Sequence, residues 1–457
     1  METMKHTHRF IGRFIVEAET PLYVGTGQSS LLKDALVQKD VNGYPMILGT
    51  SLAGVIRHQF ENYNKEAADY FFGQAKGDQG GTGALLKVSA AYMMINNKRV
   101  SEGILEDLSN DHEKFNELPI RQHVRINDKG TAEENGLFDN EIVYKGVRFM
   151  FEIELKAEED QTAHWEELLN IITGPTFRIG SGTRNGYGKL KVIKHYNSIY
   201  NLSLDEEFKA YVDFDPSLNS TIEFSDTQIE HKELRSYIIY KLELLPDSLF
   251  IFSEGFGDDD VDNKPKEEDL VLYTEDGIRF DKQTLIPATS IKGALSHRVA
   301  FHYNQRMEYF ADKKNVPEGE NVAVVKLFGS AASGDYNGEE PVAGKVFIND
   351  IFLSSNQVNN DKILNHVAID RFTGGGIHGA LFSEKVSSLK KDSPLIIEVI
   401  VDGQDIEETE IQAFEDSLKD IANGLLPLGG MTTKGHGMFT GNVYKNGTEL
   451  FNYNSQN

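Results

Sequence analysis

The sequence predicts an α+β protein of two tandem domains, each in the strand and helix order of the ferredoxin-like fold. Three observations predict it: an ordered internal duplication, an alternating apolar pattern that opens each half, and an acid-rich stretch between the halves. They place the domains at 1–200 and 233–457, with 201–232 as linker.

In chain order, each half opens with a half-buried strand, because residues 9–25 (RFIGRFIVEAETPLYVG) and 235–252 (RSYIIYKLELLPDSLFIF) alternate apolar and polar side chains. A helix follows in both. Its start reads ILGTSLAGVIR at 47–57 and IPATSIKGAL at 286–295, with Arg298 just beyond, and Ser51 and Ser290 are offset by 239. Phe72-Gly73 and Phe328-Gly329, offset by 256, then lead through a glycine-rich loop into a strand expected at 84–91 or 344–352. An irregular insertion, a further strand and a second helix come next. Each half ends on a glycine-rich turn and a strand, IGSGTRNGYG at 179–188 and LGGMTTKGHG at 428–437, offset by 249. Order holds while spacing drifts, as in duplicates with loop insertions. The segment 201–232 is expected as the linker because it is rich in Asp, Glu and Ser and has little periodicity.

A length of 457 residues with 39% hydrophobic content suits two or three domains, each with its own core. Cysteine is absent, which excludes disulfides, thiolate metal sites and a cysteine nucleophile and fits a reducing compartment. Residues 1–12 lack the apolar region of a signal peptide, and no run nears the roughly 18 apolar residues of a membrane helix. A cytoplasmic protein with no membrane partner is expected. The net charge of −25 runs against the basic balance of a nucleic-acid binder. Much of the acid sits in runs such as Glu158-Glu159-Asp160, Asp258-Asp259-Asp260, Glu267-Glu268-Asp269 and Glu407-Glu408, which read as solvated faces that leave room for a basic groove.

Two motifs carry candidate chemistry. At the helix starts, Thr50-Ser51 and Thr289-Ser290 are expected as caps, and the free N–H groups and dipole of such a start suit a phosphate. Lys292, Arg57 and Arg298 add positive charge along those helices. A capped helix with ordinary surface cations is the plain alternative, and the repetition in one context favours a functional role. In the terminal turns, Gly180, Ser181 and Gly182 would let backbone approach a ligand. Arg184, Asn185 and Tyr187 in the first turn, and Thr432, Lys434 and His436 in the second, offer phosphate and base contacts. The alternative is a tight turn in which glycine supplies positive φ.

The same strings carry a resemblance. Residues 40–54 (DVNGYPMILGTSLAG) and 285–295 (LIPATSIKGAL) resemble the pattern that leads into the first helix of the RAMP superfamily, and the terminal turns resemble its G-rich loop. Ile369-Asp370-Arg371-Phe372-Thr373-Gly374 resembles the opening of the family's thumb hairpin, with 125–128 (RIND) a looser match in the first half. Over nearly its whole length the chain is similar to a fused double backbone subunit of type III CRISPR effector complexes. The resemblance implies two RRM-like domains with inserted thumb hairpins and loops. It also implies a subunit that grips guide RNA by its sugar-phosphate chain beside other effector subunits, with recognition of complementary target RNA left to base pairing. Arg371 joins the RNA contacts on that ground. In the family an aspartate in the loop before the first helix cleaves the target next to a displaced nucleotide, with a divalent metal, Mg²⁺ or Mn²⁺. Asp34 matches that position, since Asp34 and Asp40 keep the spacing of two aspartates around five residues.

A carboxylate there can hold hydrated Mg²⁺ or help activate a ribose 2′-OH for in-line attack, which leaves a cyclic phosphate. An exposed loop acid is the alternative. In the second half an ungapped alignment sets Glu268 opposite Asp34, with Asp269, Asp260 and Asp262 as further options. His58, His297, His302, His366, His378 and His436 are candidates for histidine-led acid–base chemistry. No H-x-x-x-H metal helix, Walker loop or nucleophile elbow occurs. Three functions follow: a guide-RNA-binding subunit that cuts its target, a purely architectural RNA-binding subunit, and a metal-independent, guide-processing endoribonuclease that uses histidine.

Overall fold

A computed structural model describes residues 6–27, 35–75, 80–126, 132–226, 237–253, 255–275, 277–309, 321–330, 341–390 and 393–455. The chain forms two compact units. The first comprises Met1–Thr183, Tyr187–Leu234 and Leu270–Asp281, the second Arg184–Gly186, Arg235–Asp269 and Lys282–Asn457. Each therefore takes one short segment from the other half of the sequence.

In the first unit the strand His8–Ala18 pairs antiparallel with Leu190–Asn201 on one side and Arg148–Ala157 on the other, and Ala91–Met93 lies beyond Arg148–Ala157. The helices Gly49–Glu61 and Thr162–Ile172 follow the first and third of these core strands, whose spatial order is 4-1-3-2. That is the ferredoxin-like arrangement. The second unit repeats it. Tyr237–Pro246 lies between Leu395–Asp402 and Phe439–Lys445, Val346–Ile348 lies beyond Leu395–Asp402, and the helices are Ala288–Arg306 and Glu408–Ala422. In both units a long antiparallel hairpin is inserted between the second and third core strands. It is Ile120–Ile126 with Ala132–Glu141 in the first and Val358–Ile369 with Gly376–Leu389 in the second. The expected α+β class, with two ferredoxin-like domains and inserted hairpins, is the fold observed.

The duplicated helices bury the same stripe. Leu52, Ile56 and Phe60 face the first core, and Ile291, Leu295 and Val299 face the second at the same offset of 239. A spacing of four keeps each trio on one helix face, and each side chain contributes about 2 kcal/mol by burial. Neither helix is capped by Thr or Ser. Leu48 and Pro287 hold the N-cap positions with no side-chain cap bond, so Thr50, Ser51, Thr289 and Ser290 fall within the first turn. Gly49, the first residue of its helix, packs where a Cβ would lie 2.5 Å from the Val88 carbonyl oxygen.

The segment 201–232, expected as linker, is built into the first unit over its described residues. It carries the helix Asp205–Val212 and the strand Ser225–Asp226, which pairs with Leu190–Asn201. Arg13 supplies the physical reason. This side chain is wholly buried on the central strand, and its Nε and Nη2 donate to Glu152 Oε2 at 3.0 and 2.6 Å. Its Nη1 donates to the Ser217 carbonyl and to Ser220 Oγ at 2.8 and 2.7 Å, and Phe214 covers the guanidinium. A buried guanidinium needs its donors satisfied, and the segment brings the acceptors. Burial pushes the Glu152 carboxyl above its ordinary range, and Arg13 offsets only part of that. Composition registered the acids here and not Leu202, Tyr211, Phe214 and Leu218, whose side chains pack inward.

The glycine-rich turns are the same structure twice. Ile179 N–H and Leu428 N–H donate to the carbonyls of Gly188 and Gly437, each at 2.9 Å. Ser181 and Gly430 N–H reach the Tyr23 and Ile251 carbonyls, while Gly188 and Gly437 N–H reach those of Pro21 and Leu249. Gly188 and Gly437 have φ of 83° and 75°, and a Cβ on them would lie 2.3 Å from Ile179 O or 2.0 Å from Leu428 O. These glycines bring backbone against the chain's own backbone, so only the tips, 181–186 and 430–435, are left to face a ligand.

Two stability measurements check these assignments. Arg13→Ala should cost about 3 kcal/mol, because it leaves the Glu152 charge without its partner, and should speed hydrogen exchange across 205–220. Unchanged exchange there would exclude the clasp. Gly437→Ala should cost about 3 kcal/mol in urea unfolding. Gly435→Ala, which meets no atom within 4 Å, should cost about 1 kcal/mol from its positive φ alone. Equal costs would refute the close-approach explanation.

Candidate nucleic-acid interface

The tip of the first glycine turn, Arg184–Gly186, belongs to the second unit. There Arg184 Nε donates to the Gly344 carbonyl at 2.6 Å, and its guanidinium lies 3.9 Å from the centre of the Phe347 ring. Lys292, in the helix Ala288–Arg306, donates to Asn185 Oδ1 at 3.3 Å. Burial, and then the charge of Arg184, push the Lys292 ammonium below its ordinary range. The charge of Arg184 is felt at Lys292, so the two cations lie in one partly buried neighbourhood, a setting that suits a phosphate. Thr289 and Ser290 stand one turn away on the same helix. The Ala288 N–H is already taken by the buried Asp350 carboxylate at 2.8 Å, which does what Thr289 and Ser290 were expected to do.

Arg57 and Arg298 do not join this group. Arg57 pairs with Glu61 at 2.6 Å and Asp69 at 3.4 Å. Arg298 donates to Asp420 Oδ2, which His302 also contacts at 2.7 Å. Both arginines therefore hold helix against helix. Their partners are close in space and, Glu61 apart, not in local sequence, so motif spacing did not reveal them.

The candidate acids separate in the same way. Asp34 lies outside the described residues. Asp262 is exposed, yet its Oδ2 accepts from Ser383 N–H and Oγ at 2.8 and 2.9 Å, and those bonds hold its carboxyl below the usual range. Asp260 N–H donates to Asp258 Oδ1 within a loop turn. Asp269 lies in the strand Glu267–Thr274, and Glu268 faces Lys266 at 3.9 Å. Among the described residues no group of three His, Asp or Glu side chains is placed to hold a metal. Asp262 thus pins its loop to the second hairpin.

The hairpin tips are open. Asp370 Oδ1 accepts from Phe372 N–H, Thr373 N–H and Thr373 Oγ, which turns the chain and leaves Arg371 and Phe372 projecting, Phe372 97% exposed. The 369–374 string is thus the tip of the hairpin, not its opening. In the first unit Arg125 and Ile126 end the strand Ile120–Ile126, and Asn127 and Asp128 lie outside the described residues. Lys434 is exposed on the second glycine turn, in the short 3-10 segment Thr432–Lys434. His58, His297 and His378 are exposed, whereas His366 and His436 both contact Glu384. Sequence reasoning passed over Glu384, His123 and Arg121. The available signal was the matched order of the two hairpins, where His123 faces Phe138 as His366 faces Phe382.

The family profile of the RAMP superfamily matches residues 15–191 and 272–440, once in each half and together well over half of the chain. No curated protein matches it. Among the described residues no helix is long and apolar enough to cross a membrane. The two matched regions contain both inserted hairpins and both first helices, and they reach both glycine turns. The chain belongs to the RAMP superfamily in both its halves, and with that family it has a CRISPR-associated RNA-binding role in complexes of RNA and other subunits.

Proposed function

We propose that the chain is a guide-RNA-binding backbone subunit of a type III CRISPR ribonucleoprotein that cleaves the paired target RNA at its first repeat. The pairing of Arg184 with Lys292 beside Asn185 carries the RNA-binding part, since two adjacent, half-buried cations suit a phosphate. Arg371 and Lys434 extend the phosphate contacts, and Ser181, Gly182 and Thr432 add donors at the turn tips. Guide sequence is then read by the complementary target RNA, not by the protein. Other effector subunits complete the assembly.

Target cleavage is assigned to Asp34 because it matches the position of the family's cleaving aspartate, with Mg²⁺ or Mn²⁺ as the ion that would supply positive charge at the scissile phosphate. The second repeat is assigned an architectural role. The bonds of Asp262 to Ser383 and the facing of Glu268 and Lys266 support that reading.

Two measurements test it. Arg184→Ala and Lys292→Ala should each weaken binding of single-stranded RNA and lower the slope of log K against log salt by about 0.7 for every phosphate that is no longer neutralised. Slopes equal to that of the parent protein would remove both residues from the interface. In the assembled ribonucleoprotein, Asp34→Ala or EDTA should abolish cleavage at one target site while guide RNA stays bound. Cleavage that survives Asp34→Ala defeats the catalytic assignment, and cleavage that survives EDTA points to the histidine route instead.

A further inference from the structure

We infer that Glu384 is the positioning residue that fixes the second hairpin to its glycine turn, by holding His366 of the hairpin and His436 of the turn on one carboxylate oxygen. The inference rests on the RNA-binding reading above, since it concerns how the hairpin is presented to RNA.

Glu384 lies on the strand Gly376–Leu389 and is 0% exposed. Its Oε1 contacts His366 Nε2 at 2.9 Å and His436 Nε2 at 3.2 Å, and an ionised carboxylate makes both imidazoles donors. Its Oε2 is buried with no hydrogen-bond partner among the described residues. A carboxylate in such a place is costly to desolvate, and an apolar side chain would pack there without that cost. What the charge adds is a bond to each of two segments, 18 and 52 residues away. The same strand is held from another side by Asp262 at Ser383 and by Asn263, whose carbonyl accepts from Lys385 N–H. The root of the hairpin is thus fixed while its tip is exposed.

The first unit makes the same joint with other chemistry. His123 stacks on its cross-strand neighbour Phe138 at 5.0 Å, as His366 meets Phe382 at 6.0 Å. His123 Nε2 bonds the Tyr187 hydroxyl at 2.7 Å, and Tyr187 holds the place in its glycine turn that His436 holds in the other, at the offset of 249. Two residues before His123 the Arg121 guanidinium lies 4.9 Å from the Tyr187 ring centre. At the matching rung of the second hairpin, Leu364 stands opposite Glu384. A phenol ring, with its negative face, meets a cation. An imidazole, with its N–H, meets an anion. Two different side-chain sets that make one connection indicate that the connection matters, beyond what packing requires.

The test uses the full chain and fluorescein-labelled single-stranded RNA. Glu384→Gln keeps the shape and removes the charge. It should speed hydrogen exchange across 358–389, leave the helix 408–422 protected as before, and weaken RNA binding about tenfold. His436→Tyr keeps a donor toward Glu384 and should restrict the loss to about twofold, whereas His436→Ala should match Glu384→Gln. Phe372→Ala at the tip should weaken binding without changing exchange at the root. If Glu384→Gln leaves exchange across 358–389 unchanged, or if His436→Tyr loses as much affinity as His436→Ala, the joint is refuted. If the unaltered chain binds no RNA, the RNA-binding reading fails, and the exchange result still decides whether Glu384 holds the hairpin.

Discussion

Each unit is organised by a close backbone contact, the one between its glycine turn and the chain just past its central strand. The carbonyls of Pro21 and Tyr23 in the first unit, and of Leu249 and Ile251 in the second, receive the turn's N–H groups. No Cβ fits at either end of the turn. The contact sets where Tyr187 and His436 point, and through them how the two hairpins are rooted. The tip of the first turn also carries Arg184 and Asn185, two of the candidate RNA contacts.

Several of the arginines are committed to carboxylates within their own unit. Arg13 is sealed against Glu152, Arg57 against Glu61 and Asp69, Arg148 against Glu17, and Arg298 and Arg306 against Asp420 and Asp416. A net charge of −25 repels a polyanion at long range. Affinity must then come from short-range contacts at a few prepared places, of which the paired cations by Asn185 are one.

The duplicated halves have diverged by keeping backbone geometry and exchanging side-chain chemistry. The core stripes on the first helices remain in step residue for residue. The hairpin roots do not: one uses a phenol and a guanidinium, the other two imidazoles and a carboxylate. Where backbone packs on backbone, as at Gly188 and Gly437, no side chain fits, whereas a hydrogen bond between two segments can be made by several pairs of side chains.

By itself the sequence determined the fold class, the duplication and the glycine turns, because each is a local or repeated pattern: strand alternation, motifs recurring in one order, a run of glycines. It also marked Arg184, Asn185 and Lys292 as candidates, through motifs in two separate places. Only the tertiary structure decided which candidates stand together. Arg57 and Arg298 read as RNA contacts and Asp262 as a candidate catalytic acid, and their partners Asp69, Asp420 and Ser383 are brought to them by folding. The segment after Asn201 read as linker because composition records acids and not the buried guanidinium of Arg13 that the segment closes over. Glu384 was silent for the same reason. A lone glutamate in a strand acquires meaning only when two histidines, distant in sequence, converge on one of its oxygens.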